Sequence, residues 1–266
     1  MSPRPKSASA GLPRVNGFLL ALFRRYARRY IRRHFHAVRL SRGGKLPELP
    51  EGPLVIYMNH PSWWDPMIAL LFGTIFFSDR RQYAPIDKAS LERYRFFGRL
   101  GFFGIELNSF RGAKVFLSTA ARIFEEPDSV LWITPEGRFT DPRVRPIRFQ
   151  PGLSAAAALM ETGALLPMAV EYPFWEERLP EVLVRFGPPV RPADIAGRDR
   201  AAINGLLEAH LRAAQDALAG EAIAADPQAF EVMLSGRTGV GAVYDAWRRL
   251  GAVFRGKPFE KSHGVG

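Results

Sequence analysis

Beyond residue 50 the chain alternates short, nearly unbroken apolar runs with stretches of helical periodicity, and this alternation restricts the fold more than any other feature. The runs at 53–58, 82–86, 102–107, 129–134, 165–171 and 181–186 read as strands. The stretches at 63–73, 88–97, 112–125 and 152–162 read as helices between them. A strand that is apolar at successive positions must be covered on both faces, as happens when helices cross over between parallel strands. The expectation is an α/β fold with a mostly parallel central sheet flanked by helices. A longer helical pattern at 193–219 follows Pro192, and Phe230, Met233, Leu234, Trp247 and Phe254 read as further helix packed on the body. Three parts are therefore expected: an N-terminal segment 1–45, a body 46–220 and a helical C-terminal extension 221–266.

Charge sets the first part apart. The net charge is +11, yet residues 1–45 hold twelve Lys or Arg and no acid, so the remaining 25 bases face 26 acids in a nearly neutral body. Arg24, Arg25, Arg28, Arg29, Arg32 and Arg33 come in pairs between Leu22, Phe23, Tyr26, Ala27, Tyr30, Ile31, His34 and Phe35. That four-residue period gives a basic amphipathic helix with aromatic residues on its apolar side. Such a helix can lie on an anionic membrane, dock on the body or bind nucleic acid. The membrane surface is the expected partner, since each Lys or Arg near an anionic leaflet contributes about 1 kcal/mol. The body has no matching basic face and no nucleic-acid motif, so nucleic acid is not expected as a partner. The apolar run at 17–23 is far shorter than the roughly 20 residues of a membrane span, and as a signal peptide it is at the short limit. The segment is read as retained, with the protein peripheral on the cytoplasmic face of a membrane.

The absence of cysteine removes disulfides, a thiol nucleophile and cysteine-ligated zinc from consideration. The five histidines form no recognised metal spacing, and no metal or cofactor is expected.

The chemistry-bearing residues follow the apolar runs. The run Pro53-Leu54-Val55-Ile56-Tyr57-Met58 stops at Asn59-His60-Pro61-Ser62-Trp63-Trp64-Asp65-Pro66. Ser62 and Asp65 have capping-box spacing, which places a helix start near Ser62 and brings His60 and Asp65 to one helix end. Asp65 can then bond one imidazole nitrogen and leave the other free to take a proton from a hydroxyl. A lone H-x4-D also arises by chance, Asp65 being a normal helix-start residue and His60 a normal loop histidine. Two further runs unload polar residues at what should be the same edge: 129–134 leads to Pro135-Glu136-Gly137-Arg138, and 102–107 to Asn108, Ser109 and Arg111. Ligands in open α/β sheets bind beyond the carboxyl ends of strands, so the three together point to a site.

The pair of motifs resembles the glycerophosphate and lysophospholipid acyltransferase family, whose signature is an NHxxxxD block (the HX4D motif) and a later FPEGTRS block. The resemblance covers roughly residues 50–190 and includes Gly101 to Arg111 and Leu166-Pro167-Met168-Ala169-Val170 at the places of two further family motifs. It implies that His60 is a general base oriented by Asp65, and that Arg111, Glu136, Gly137 and Arg138 bind substrate. An acceptor hydroxyl, as in a lysophospholipid, would attack an acyl thioester of coenzyme A or acyl-carrier protein directly, in phospholipid biosynthesis or related lipid metabolism. Two departures stand out. The second family motif ends Ile-Asp-Arg where this chain has Ile105-Glu106-Leu107, and Glu-Gly-Thr-Arg becomes Glu136-Gly137-Arg138-Phe139. Either Arg111 and Arg138 reach the acceptor's phosphate from new positions, or the acceptor lacks a glycerol phosphate. A non-catalytic lipid-binding or scaffold protein on a degenerate acyltransferase fold is the alternative. Trp63, Trp64, Phe97, Phe102 and Phe103 are candidates for an acyl-chain groove, or for core.

Overall fold

The computed structural model describes residues 11–237. In chain order the elements are α1 (Gly17–His34), β1 (Ala37–Ser41), β2 (Leu54–Met58), α2 (Asp65–Phe76), β3 (Arg81–Asp87), α3 (Lys88–Arg93), β4 (Phe102–Ile105), α4 (Phe110–Phe124), β5 (Ser129–Ile133), α5 (Gly152–Ala157), β6 (Ala164–Glu171), β7 (Val182–Phe186), α6 (Pro192–Ile195), α7 (Arg200–Ala224) and β8 (Phe230–Ser235). One eight-stranded sheet runs β4-β3-β5-β2-β6-β7-β1-β8. Only the β6–β7 and β1–β8 pairs are antiparallel, so the sheet is mostly parallel, as expected.

The apolar runs are continuous because the sheet is covered on both sides. Leu54, Ile56 and Met58 of β2 face one core with Val130, Trp132, Leu166 and Met168, under Ile31 and Phe35 from the α1 end and Ile68 and Phe72 of α2. Val55 and Tyr57 face a second core with Leu131 and Leu165, under Phe116 and Ile123 of α4, Leu153 of α5 and Leu207 and Leu211 of α7. All six strand readings correspond to observed strands, and the helical ones to α2, α3, α4, α5 and the α6–α7 pair.

The N-terminal segment 1–45 is not a separate unit. Residues 37–41 form β1, between β7 and β8, and Arg39 within it is buried. That arginine interrupts the apolar pattern and hides the strand; its Nε donates to Glu181 Oε2 at 3.0 Å, which offsets the cost of burying the charge. Helix α1 begins at Asn16, whose side chain accepts from the Leu19 N–H at 2.9 Å. It is docked: Ala27 and Ile31 are buried, Tyr30 packs on Trp64 with ring centroids 5.3 Å apart, and Phe23 lies 6.0 Å from Phe96. Much of the aromatic side is thus turned to the protein. No helix among the described residues is long and apolar enough to cross a membrane.

The expected helical C-terminal extension 221–266 is corrected within the described residues. Helix α7 runs on to Ala224, and Phe230–Ser235 is an edge strand antiparallel to β1. The spacing of Phe230, Met233 and Leu234 looks helical because the strand carries an irregularity: Val38 pairs with Leu234 but Arg39 with Val232. The skipped residue puts Phe230 and Leu234 in the core while Val232 faces out. Trp247 and Phe254 lie outside the described residues.

Because Ile31 belongs to the main core and Phe18 is 83% exposed at the other end of the same helix, their truncations should separate. Ile31→Ala is expected to cost about 2–5 kcal/mol and Phe18→Ala within about 0.5 kcal/mol, read by urea denaturation. Equal small effects would mean that α1 is not docked.

Candidate active site

Strand register places the two motifs side by side. Tyr57 of β2 pairs in parallel with Ile133 of β5, and three residues further along each chain stand His60 and Glu136. On the other side, the Asn59 amide extends the ladder to β6: Asn59 Nδ2 donates to Val170 O at 2.9 Å and Val170 N–H donates to Asn59 Oδ1 at 2.8 Å. This buried pairing fixes where β2 ends and the chain leaves the sheet.

Asp65 gathers the next part of the chain. Its Oδ2 lies 2.6 Å from His60 Nδ1 and accepts from the Ser62 N–H at 3.0 Å; its Oδ1 accepts from the Tyr172 hydroxyl at 2.5 Å. The carboxylate is 1% exposed and sits in the first turn of α2, where the helix dipole favours negative charge. The helix starts at Asp65, three residues later than the capping-box spacing suggests, because residues 63–64 form a turn. The carboxylate half of the box is nevertheless made, while Ser62 Oγ accepts from the Trp64 N–H at 3.3 Å. Asp65 has only acceptors to offer, so Nδ1 of His60 carries the shared proton. Nε2 then presents a lone pair.

Glu136 is 5% exposed. Burial raises its pKa, opposed by hydrogen bonding from the Thr140 hydroxyl and the His60 backbone N–H and by the nearby charge of Arg138. The Thr140 N–H in turn donates to the His60 carbonyl at 3.0 Å, and the Phe139 ring stands 4.3 Å from the imidazole. Residues 136–140 are therefore stitched to His60 from both sides of its peptide. Gly137, with φ +67°, makes the turn that this requires in the left-handed region open to glycine.

The structure brings His60, Asp65, Glu136 and Gly137 into one cluster, with Arg138 exposed next to it. It does not bring Arg111 there by any bond. Arg111 is exposed in the first turn of α4, beyond β4, which is separated from β5 by β3, about 10 Å away at normal strand spacing. Of the proposed groove aromatics, Phe103 is buried under Phe116, Trp64 packs on Tyr30 and Phe35, and Phe97 and Phe102 pack on each other; Trp63 is 54% exposed. No group of three or more His, Asp or Glu among the described residues is placed to hold a metal ion.

Tyr172 was not legible as a site residue, because no motif surrounds it and its partner lies more than a hundred positions earlier. Burial and Asp65 push its pKa well above the ordinary tyrosine value, so it remains a donor. Its loop is closed at the far end, where the Glu181 N–H donates to Pro173 O at 2.8 Å and the Glu181 carboxylate meets Arg39 and, at 2.5 Å, His36 Nδ1.

Comparison with known families now bears on this geometry. A sequence model described as Acyltransferase matches residues 33–171, just over half of the chain. The chain belongs to this family, that of the glycerophosphate and lysophospholipid acyltransferases. The match takes in β1 to β6 and ends one residue before Tyr172, leaving nearly all of α1 and everything from β7 onward outside. No curated protein matches the chain.

Two measurements check the arrangement. Tyr172→Phe removes one donor from a buried carboxylate and should cost about 1–3 kcal/mol in urea denaturation; no loss would mean that Asp65 does not depend on that bond. For His36, the Glu181 hydrogen bond raises the pKa above the ordinary 6.5, partly opposed by burial. A raised histidine pKa stabilises fully below the unfolded value and ceases to do so as pH rises through the folded one. The stability difference between wild type and His36→Gln should therefore be largest below pH 6.5 and shrink above it; a pH-independent difference would contradict this.

Proposed function

We propose that this acyltransferase moves a fatty acyl group from an acyl thioester, acyl-CoA or acyl-carrier protein, to the hydroxyl of a lipid acceptor such as a lysophospholipid. The observation that carries the reading is the 2.6 Å contact between His60 Nδ1 and the buried Asp65 carboxylate. In the proposed step, Nε2 of His60 takes the acceptor's proton as the alcohol oxygen attacks the thioester carbon. The tetrahedral intermediate then expels the thiolate, which receives the proton from the imidazolium. General-base action of this kind contributes about 10²–10⁴-fold. Asp65 orients the ring and stabilises its charged form. Glu136 and Gly137 hold the loop that carries Arg138, whose guanidinium fork suits an acceptor phosphate; Arg111, from the next loop but one along the sheet edge, is a second candidate for that phosphate. No further cofactor is required by this route. Peripheral attachment at the cytoplasmic face of an anionic membrane would bring the lipid acceptor to the site.

The alternative of a non-catalytic lipid binder is favoured by one observation, the Phe139 ring beside the imidazole where the family pattern has arginine. Incubating the purified protein with labelled acyl-CoA and mixed lipid extract decides: new acylated lipid is expected. His60→Ala should lower turnover by about 10²–10⁴-fold with unchanged thermal unfolding. Wild-type turnover in that variant would remove His60 as the base, and absence of product from the native protein would favour the binder.

A further inference from the structure

Helix α1 has a side that neither docking nor the candidate active site uses. Arg25, Arg28, Arg29, Arg32 and Arg33 line a cleft of about 430 Å³ closed on its far side by Gly236 and Arg237. No carboxylate lines it. Arg32 Nε donates to Ser235 O at 3.1 Å, tying helix to strand end across the cleft; the guanidinium groups of the other five arginines have no hydrogen bond or ion pair among the described residues. Placing Lys or Arg at a helix C-terminus complements the dipole and accounts for Arg32 and Arg33, but not for Arg25, Arg28 or Arg29 one to two turns earlier. Beyond Arg237 the sequence adds no net negative charge. Residues 238–266 carry Asp245 and Glu260 against Arg248, Arg249, Arg255, Lys257 and Lys261. Six guanidinium groups around one cleft repel one another, and an anion with several oxygens relieves that repulsion through bidentate hydrogen bonds.

The same helix shows what carries the anion. Phe18, Leu22 and Tyr26 are 83%, 56% and 52% exposed, and at intervals of three or four they continue along the helix into Arg29 and Arg33. One solvent-facing stripe is thus apolar at its N-terminal half and basic at its C-terminal half. A nucleic acid backbone has no use for an exposed Phe-Leu pair, whereas a phospholipid offers a phosphate and an apolar interior side by side. We infer that the cleft between α1 and Gly236–Arg237 is a discrete binding site for the phosphate of an anionic phospholipid, separate from the acyl-transfer site, with Phe18, Leu22 and Tyr26 entering the bilayer beside it. This rests on the membrane attachment proposed above and adds to it a defined headgroup site.

The test is flotation of the full chain with phosphatidylcholine vesicles with and without phosphatidate. Wild type should float far better when phosphatidate is present. Arg28→Gln/Arg237→Gln should weaken that binding by about fivefold for each arginine removed. Arg200→Gln/Arg212→Gln, exposed on α7 across the sheet, makes the same change in net charge and should leave binding as in wild type. Acyl transfer to a detergent-dispersed acceptor should be unchanged in both double variants, because neither touches His60 or Asp65. Equal flotation of the cleft variant and wild type, or equal losses in both double variants, would overturn the discrete site while leaving surface attachment standing. If Phe18→Ser/Leu22→Ser binds phosphatidate vesicles like wild type while free inorganic phosphate competes fully, the ligand is a soluble phosphate and the lipid assignment fails. Wild type that ignores vesicles but binds duplex DNA overturns the site and the membrane reading together, whereas loss of acyl transfer in the native protein would overturn only the catalytic reading.

Discussion

Parallel pairing of β2 with β5 on one side and β6 on the other is the constraint on which the rest depends. The strand is apolar on both faces, so a one-residue slip would exchange Tyr57 and Ile56 between two differently shaped cores and draw Asn59 further into the sheet. Asn59 secures the end of the register by bonding both backbone groups of Val170 through its side-chain amide. With the strand held at that point, His60 is the first residue free to leave the sheet, and the β5 register sets Glu136 level with it.

From there the site is organised by a carboxylate. Burying Asp65 removes it from water, and three donors, from the His60 ring, the Ser62 backbone and the Tyr172 hydroxyl, offset that cost. Each donor comes from a different structural source: the turn after β2, the approach to α2 and the segment after β6. The same atoms therefore align the imidazole and join three parts of the fold. Local stability and the geometry of the proposed base cannot be varied independently, because they share one hub.

Helix α1 shows how a single amphipathic pattern serves two surfaces. Ala27 and Ile31 enter the core, and Tyr30 covers Trp64, so part of the apolar side is satisfied within the protein. What remains outside is a narrower stripe, Phe18, Leu22 and Tyr26, continuous with the arginines. Docking keeps the helix from turning its whole apolar face to a bilayer, and it also fixes the arginines against Gly236 and Arg237 so that they enclose a cleft.

The α/β class, six of the strands, the helices between them and the grouping of His60 and Asp65 with Glu136 were legible in the chain, because a buried parallel strand leaves an unbroken apolar run and the polar residues after it are obliged to meet at one edge. The linear pattern could not reveal β1, whose buried Arg39 is tolerated only beside Glu181, nor β8, whose irregular pairing mimics helical spacing. Nor could it reveal Tyr172, which reaches Asp65 from across the fold, or show that Arg111 stands off behind β3. The difference is physical: periodicity reports which face of a segment avoids water, a property fixed by neighbours a few residues away. Which buried charge finds its partner, and which loop stands beside which, is set by strand order and register, and these exist only once segments far apart in the chain have paired.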